Sequence, residues 1–332
     1  MIDALAGGAG PAVGRRATLL GLAGIGVAAA PAPEVTLLVA GPDGGRLDRW
    51  ADVVTPGLVR ALPGSGRMTR RTLGGVDGVT GANSFDALVT PDGMTALLTP
   101  GAAPLAWLAG DPRAKFDPSH WVPVWATLAP AVLLTRSPLT PGRPLRVPAM
   151  GPSGPVLPML LALDLLGIEA VLLPPAAAQS PGEVDAVFLS GPGTPLAAAS
   201  LAGAGLLPAL TLGTPDDAGW GRDPAFPRVP TAIHQVMVRM PPSPLVAALR
   251  ATAAAVQLDA LLVLPALSNA ALVSAWHRAC SRVAASPDVL TAAAGQDVRS
   301  SDPTAAAVML GVIAGGGPAI PALQQWSSGR YG

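Results

Sequence analysis

Short apolar runs containing β-branched residues alternate along this chain with longer stretches in which apolar positions recur every three or four residues. Val35-Thr36-Leu37-Leu38-Val39-Ala40, closed by Gly41, is the first such run and predicts a buried strand. Trp50, Val53, Val54, Leu58 and Leu62 then fall at helical spacing. Pro56 lies inside that pattern. Proline removes a backbone donor and crowds the preceding turn, so a kink or two short helices is expected there. The unit returns twice. Residues 96–99 predict a strand leading into Pro100-Gly101 and an apolar helix through Leu105, Trp107 and Leu108. Residues 145–149 lead into Gly151-Pro152-Ser153-Gly154 and a leucine-rich helix to Leu166, which Gly167 ends. Residues 169–173, 184–189 and 207–212 complete the predicted strands. Strands alternating with helices argue for parallel α/β sheets.

The last third reads as helical. Ser243-Pro244 places an N-cap before proline at the first helical position, opening a helix through Leu258. Ser268 or Asn269 caps the next, with Leu272, Val273, Trp276, Cys280 and Val283 on one face. Ser286-Pro287 starts a third, which Gly295 follows. No repeat of 20–50 residues is visible, which argues against solenoids and propellers.

Composition narrows the function classes. A length of 332 residues allows two domains of ordinary size, and half of the residues are hydrophobic, enough for sizeable cores. Net charge is zero and 13% of residues are charged, so the basic excess of a nucleic-acid surface is lacking and no such partner is expected. Near the start, Arg15-Arg16 precedes the apolar residues 17–30, which run into Ala-Pro-Ala-Pro. A basic region, a short apolar core and small residues describe an export signal, assigned to residues 1–32. At about 1.5 Å per residue its core reaches about 21 Å, short of a hydrocarbon layer of about 30 Å. The paired arginines with Leu19-Leu20 resemble a twin-arginine signal, although Thr18 stands where a bulkier apolar residue is usual. Cys280 is alone, so no intrachain disulfide forms, and its helical setting predicts a buried, inert thiol.

In open α/β sheets, ligands sit beyond the carboxyl ends of strands, where turns meet helix N-termini. Three turns have that placement: Gly41 to Asp48, Thr99 to Gly101, and Gly151 to Gly154. Glycine permits close backbone approach and a helix start carries partial positive charge, which suits a carboxylate. Each turn alone reads as structural; the three together point to a site. Asp48 has two compatible readings, a cap on the following helix or a wall of the pocket. Enzyme signatures are scarce. His120, His234 and His277 lie at no metal-site spacing, and Gly151-Pro152-Ser153-Gly154 is one residue short of a nucleophile elbow. There is no phosphate-binding loop and no dinucleotide fingerprint. No cofactor, metal or catalytic residue is expected.

Six segments, in order, carry a resemblance. They are Gly41-Pro42-Asp43-Gly44-Gly45-Arg46-Leu47-Asp48 after a strand; Pro91-Asp92-Gly93-Met94-Thr95-Ala96; Phe116-Asp117-Pro118 with Trp121-Val122-Pro123-Val124; Gly182-Glu183-Val184-Asp185; Phe226-Pro227-Arg228-Val229-Pro230-Thr231; and Ala285-Ser286-Pro287-Asp288-Val289. Together they resemble the periplasmic substrate-binding proteins of tripartite tricarboxylate transporters, the Bug family. The resemblance implies an α/β chain of the type II periplasmic binding protein fold, with two lobes around a cleft that closes on a small organic anion, usually a carboxylate. By that analogy the first lobe contributes Pro42, Gly44, Gly45 and Asp48, with Thr99 and Gly101. The second contributes Ser153 and Gly154, with Pro175 nearby. Three departures stand out. Arg71-Thr72-Leu73-Gly74-Gly75 replaces an asparagine–arginine–proline–glycine segment, Pro174-Pro175-Ala176 replaces an aromatic–lysine–glycine loop, and residues 240–261 read as extra material.

The expected organisation is an export signal over 1–32, a first lobe from 33–130 and 262–332, a second lobe from 131–230, and a crossover with a possible insertion over 231–261. The expected role is a monomeric, non-enzymatic, periplasmic binding protein that hands its anion to membrane permease subunits. An exported hydrolase or cofactor enzyme, and a ligand sensor on the same fold, are the alternatives.

Overall fold

A computed structural model of the chain describes residues 34–62, 67–216 and 219–331; the export segment expected over 1–32 lies outside them. The first stretch runs β1 (Val35–Ala40), α1 (Arg46–Ala61), β2 (Met68–Leu73), α2 (Val79–Leu88), β3 (Thr95–Thr99), α3 (Ala102–Leu108) and β4 (Trp121–Leu128). The second runs β5 (Ala131–Thr135), β6 (Leu145–Pro148), α4 (Leu157–Leu165), β7 (Ala170–Leu173), β8 (Ala186–Ser190), α5 (Thr194–Ala202) and β9 (Leu207–Thr211). A short hairpin, β10 (Thr214–Asp216) and β11 (Gly219–Gly221), leads to α6 (Ala232–Arg239), α7 (Pro244–Gln257) and β12 (Leu258–Pro265). The chain closes with α8 (Ala270–Ala284), α9 (Pro287–Ala294), β13 (Arg299–Ser301), α10 (Pro303–Ala314) and α11 (Ile320–Tyr331).

The first sheet has the order β2-β1-β3-β12-β4-β13. Strands β1, β2 and β3 are parallel, whereas β12 lies antiparallel between β3 and β4. In the second sheet β5 is antiparallel to both β8 and β9, and β6 pairs with β7 in parallel. The Asp185 amide, just before β8, donates to the Arg146 carbonyl of β6 at 3.0 Å, which links the two-stranded β6-β7 sheet to the three-stranded sheet β8-β5-β9. Each lobe-sized sheet contains a strand antiparallel to its neighbours, β12 between β3 and β4, and β5 between β8 and β9. Each obtains that strand by exchange: β5 arrives directly from the first sheet, and β12 returns there after the second is complete. The sequence expectation of parallel sheets is corrected accordingly to mixed ones.

Period-two alternation explains the layers. On β1, Val35, Leu37 and Val39 face a core with Trp50, Trp125 and Trp276, while Leu38 and Ala40 face the opposite core. On β5, Ala131 and Leu133 join that second core, and Val132 and Leu134 face the outer side with Val187. Strands buried on both faces read as continuous apolar runs. The core on the Leu38 side continues from the first sheet through α7 to Leu160 and Leu210 of the second. The described residues accordingly form one compact unit.

Helix α7 falls in the segment that reads as an insertion, yet it is central. Ala248, Ala251, Ala253, Ala254 and Ala255 are buried. Their small side chains let α3, α4, α10 and α11 approach closely. Ser243 caps it by accepting the Val246 amide at 3.3 Å, as the sequence predicts. Asn269 likewise caps α8 through the Ala271 amide, and Ser286 caps α9. The break expected at Pro56 does not occur: α1 is one helix with Pro56 inside it. Both Pro56 and Asp52, whose carbonyl loses its donor, lie on the exposed face, where water replaces the missing bond.

Candidate ligand-binding site

The carboxyl ends of β1, β2 and β3 lie at the edge of the first sheet from which the chain crosses to the second. There Leu128 of β4 pairs with Leu258 of β12, and Ala129-Pro130 leads into β5. The Ala129 amide donates to the Gln257 carbonyl at 2.8 Å. The Ala131 amide donates to the buried Asp223 carboxylate at 3.4 Å. The carboxyl end of β8 lies at the same crossing, because Ser190 at its end pairs with Ala131 at the start of β5.

After β1, Gly44 adopts φ 66°, and the Gly45 amide donates to the Pro42 carbonyl at 3.0 Å. A Cβ on Gly45 would lie 2.7 Å from that carbonyl oxygen, so the turn closes too tightly for a side chain there. Asp48 sits within the first turn of α1 and reaches back: Oδ2 accepts the Gly44 amide at 2.8 Å. Its Oδ1 lies 3.2 Å from Nε of Arg70 on β2. The capping reading of Asp48 is thus modified, since it ties down the preceding turn. Arg70 is further held by Asp52, whose hydrogen bond and charge raise its pKa. The Gly44 and Gly45 amides are both committed within the loop. The first amides of α1, those of Arg46, Leu47 and Asp48, are the ones a helix start leaves without internal partners.

Arg46 shows a connection that sequence inspection did not find. Its Nε lies 2.9 Å from Oδ1 of Asp259, the second residue of β12. Asp259 is 2% exposed and also accepts the Trp50 indole N–H at 2.7 Å and the Thr127 hydroxyl at 3.1 Å. The sequence signal was present: an aspartate inside an otherwise apolar strand needs buried partners.

Thr99 ends β3 fully buried, and its hydroxyl has no hydrogen-bond partner among the described residues. Gly101 behaves differently from the sequence expectation. Its amide donates to the Leu258 carbonyl at 3.2 Å, and an added Cβ would lie 2.1 Å from the Ala255 carbonyl oxygen. Gly101 is therefore a close-approach residue against the α7–β12 junction. Gly78, at the start of α2, adopts φ 74° with its Cα facing Pro100 and Thr99, so the turns after β2 and β3 touch.

On the second sheet, Gly151 and Gly154 adopt φ 146° and 65°, and Ser153 is exposed. The turn after them packs against α3. Pro152 and Leu157 share a cavity of about 240 Å³ with Ala109, at the end of α3, and with Leu323 and Tyr331 of α11. Pro175 is exposed in a 3-10 turn after β7. One glycine turn went unnoticed in the sequence: Gly191-Pro192-Gly193 after β8, where Thr194 donates to the Gly191 carbonyl at 2.6 Å. The Gly193 amide donates to the Gln296 carbonyl at 3.1 Å and so links this turn to the segment before β13. Among the described residues, no group of three or more His, Cys, Asp or Glu side chains lies close enough to hold a metal ion.

No family model and no curated protein matches the chain, but solved structures do. A TctC solute binding protein from Polaromonas aligns at TM-score 0.64 and 16% identity, over 88% of this chain and 99% of that one. The chain has the periplasmic binding protein fold. MatC from Rhodopseudomonas palustris, with bound malate, aligns at TM-score 0.51 and 21% identity over 86% of this chain and 99% of that one. The periplasmic binding protein BugD aligns at TM-score 0.50 and 14% identity, over 90% and 98% respectively. These are binding proteins of the kind the sequence motifs resemble.

Proposed function

We propose that the chain is an exported periplasmic solute-binding protein that captures a small organic anion, a carboxylate, between its lobes. It delivers that anion to the membrane permease subunits of a tripartite tricarboxylate-type transporter, works as a monomer and performs no chemistry on its ligand. The observation that carries this reading is the strand exchange, which brings glycine turns of both lobes to one crossing. The malate in MatC supports the ligand class.

In this reading Gly44 and Gly45 shape the turn, and the ligand's charge is met by the N-terminal amides of α1, where partial positive charge accumulates. Thr99 supplies a hydroxyl from the first lobe, and Ser153 and Gly154 supply donors from the second. A ligand that touches both lobes favours the closed arrangement by the difference in its contacts, and the crossing strands act as the hinge. Pro175 lies at the rim.

A thermal-shift screen of the purified chain against small mono-, di- and tricarboxylates tests the proposal. A true ligand at about 100 times its dissociation constant adds about 2.7 kcal/mol of stability. The double variant Gly45→Val, Ser153→Ala is expected to abolish that shift while its far-UV circular dichroism stays near native. A shift that persists in the double variant places the ligand elsewhere.

A further inference from the structure

We propose that the captured ligand carries a single carboxylate on an apolar carbon body, with the carboxylate held on the first-sheet side and the apolar part received by the turns of the second sheet; the proposal rests on the capture of a carboxylate between the two sheets. The two sets of turns differ in charge and in backbone donors.

The first-sheet side can meet a negative group. Helix α1 starts Arg46-Leu47-Asp48, and no proline removes an amide from that first turn. Thr99, at the end of the neighbouring strand β3, is fully buried, with its hydroxyl unpartnered among the described residues. Arg49 stands beside the glycine turn, one terminal nitrogen donating to the Gly44 carbonyl at 3.0 Å. The acidic side chains nearby are engaged: Asp43 with the Thr72 hydroxyl, Asp48 with the Gly44 amide and Arg70, and Asp77 with Arg113.

The second-sheet side is built differently. The turns after β6, β7 and β8, residues 149–156, 174–178 and 191–193, contain no ionisable side chain. The helical segments there carry proline in their first two positions: Pro155 in the 3-10 turn before α4, Pro158 in α4, Pro175 after β7 and Pro195 in α5. Proline has no N–H, so these starts lack donors that an anion uses at other helix N-termini. Met150, in the turn after β6, and Leu196, in the first turn of α5, are exposed apolar side chains. The turn after β6 reaches the first-sheet side, because residues 154–156 pack against α3. A second carboxylate seated against these turns would lose its water without gaining a counter-charge. A methylene chain would instead gain by leaving water there.

Hexanoate and adipate have the same number of carbons and differ at one end, methyl against carboxylate. Isothermal titration of the purified full-length chain with each, at neutral pH and constant ionic strength, tests the proposal. Hexanoate is expected to bind at least tenfold tighter than adipate, and at least tenfold tighter than acetate. Gly45→Val is expected to abolish hexanoate binding. Met150→Lys, which adds a cation to the turn after β6, is expected to narrow the preference at least threefold by strengthening adipate. Adipate binding as tightly as hexanoate overturns the proposal and leaves capture of a carboxylate standing. An unchanged preference in Met150→Lys overturns the placing of the apolar end at this turn. Hexanoate binding that persists in Gly45→Val overturns both the proposal and the capture site. Failure of hexanoate to bind also overturns the proposal; the capture reading survives that result when another carboxylate raises the melting temperature and falls with it when none does.

Discussion

Nε of Arg46 lies 2.9 Å from Oδ1 of Asp259, across 213 positions of the chain. The contact joins the start of α1, where the glycine turn ends, to β12, the strand that returns to the first sheet. The partners are unequal, because the Arg46 side chain is 41% exposed and that of Asp259 fully buried. Asp259→Ala leaves the buried Trp50 N–H and Thr127 hydroxyl without their acceptor. At about 1–3 kcal/mol for each such group, a loss of about 2–6 kcal/mol is expected by urea denaturation. Arg46→Ala is expected to lose less, about 1–2 kcal/mol, because removing this 41%-exposed side chain admits water to the buried Asp259 oxygen it covered. Equal losses from the two variants would contradict this ranking.

Gly101 and Gly203 make a matched pair. An added Cβ on Gly101 meets backbone carbonyl oxygens at 2.1 and 2.5 Å, neither of which swings aside. Gly203 has φ −61° and its nearest neighbour, the Ser200 oxygen, is 3.5 Å away. Gly101→Ala is expected to cost about 3 kcal/mol or more through overpacking. Gly203→Ala is expected to be neutral or to stabilise by up to about 1 kcal/mol. Thermal unfolding midpoints measure both.

The Asp185 carboxyl is held below its ordinary value by its hydrogen bonds from Arg146. A group with a depressed folded-state pKa adds stability that is complete above its unfolded value, about 3.9, and is lost as pH falls through the lower folded value. The pair is partly exposed, so the contribution is about 0.2–1 kcal/mol. Denaturation of Asp185→Asn and parent is expected to differ by this amount at pH 7 and to converge only below about pH 4. A gap that narrows between pH 7 and pH 5 would contradict it.

Cys280 is 0% exposed on α8, and burial pushes its thiol well above the ordinary range. An aromatic disulfide reagent at pH 8 is expected to leave the native chain unmodified and to label it fully in denaturant. Rapid labelling of the folded chain would contradict that burial.

Much of the fold is legible in the sequence. Strands β1, β3 and β6 stand out because an apolar run stops at a glycine or proline turn. Strand β2 is hidden by its own chemistry: Met-Thr-Arg-Arg-Thr-Leu is an edge strand, and its Arg70 serves ion pairs. Strand β12 follows α7 without a glycine or proline, and its Ala-Leu composition reads as helix until pairing with β3 and β4 decides otherwise. The site divides similarly. The turn built by Pro42, Gly44, Gly45 and Asp48 is local and its spacing announces it. Gly101 and Asp259 take their roles from partners more than 130 positions away, and no local pattern encodes those.

The most direct measurement is a crystal structure of the chain with the carboxylate selected by the thermal-shift screen. The expected result is a ligand carboxylate within hydrogen-bond distance of the Arg46 or Leu47 amide or the Thr99 hydroxyl, with a second contact from Ser153 or Gly154. A ligand bound to one lobe alone, or seated away from these turns, would contradict capture between the lobes.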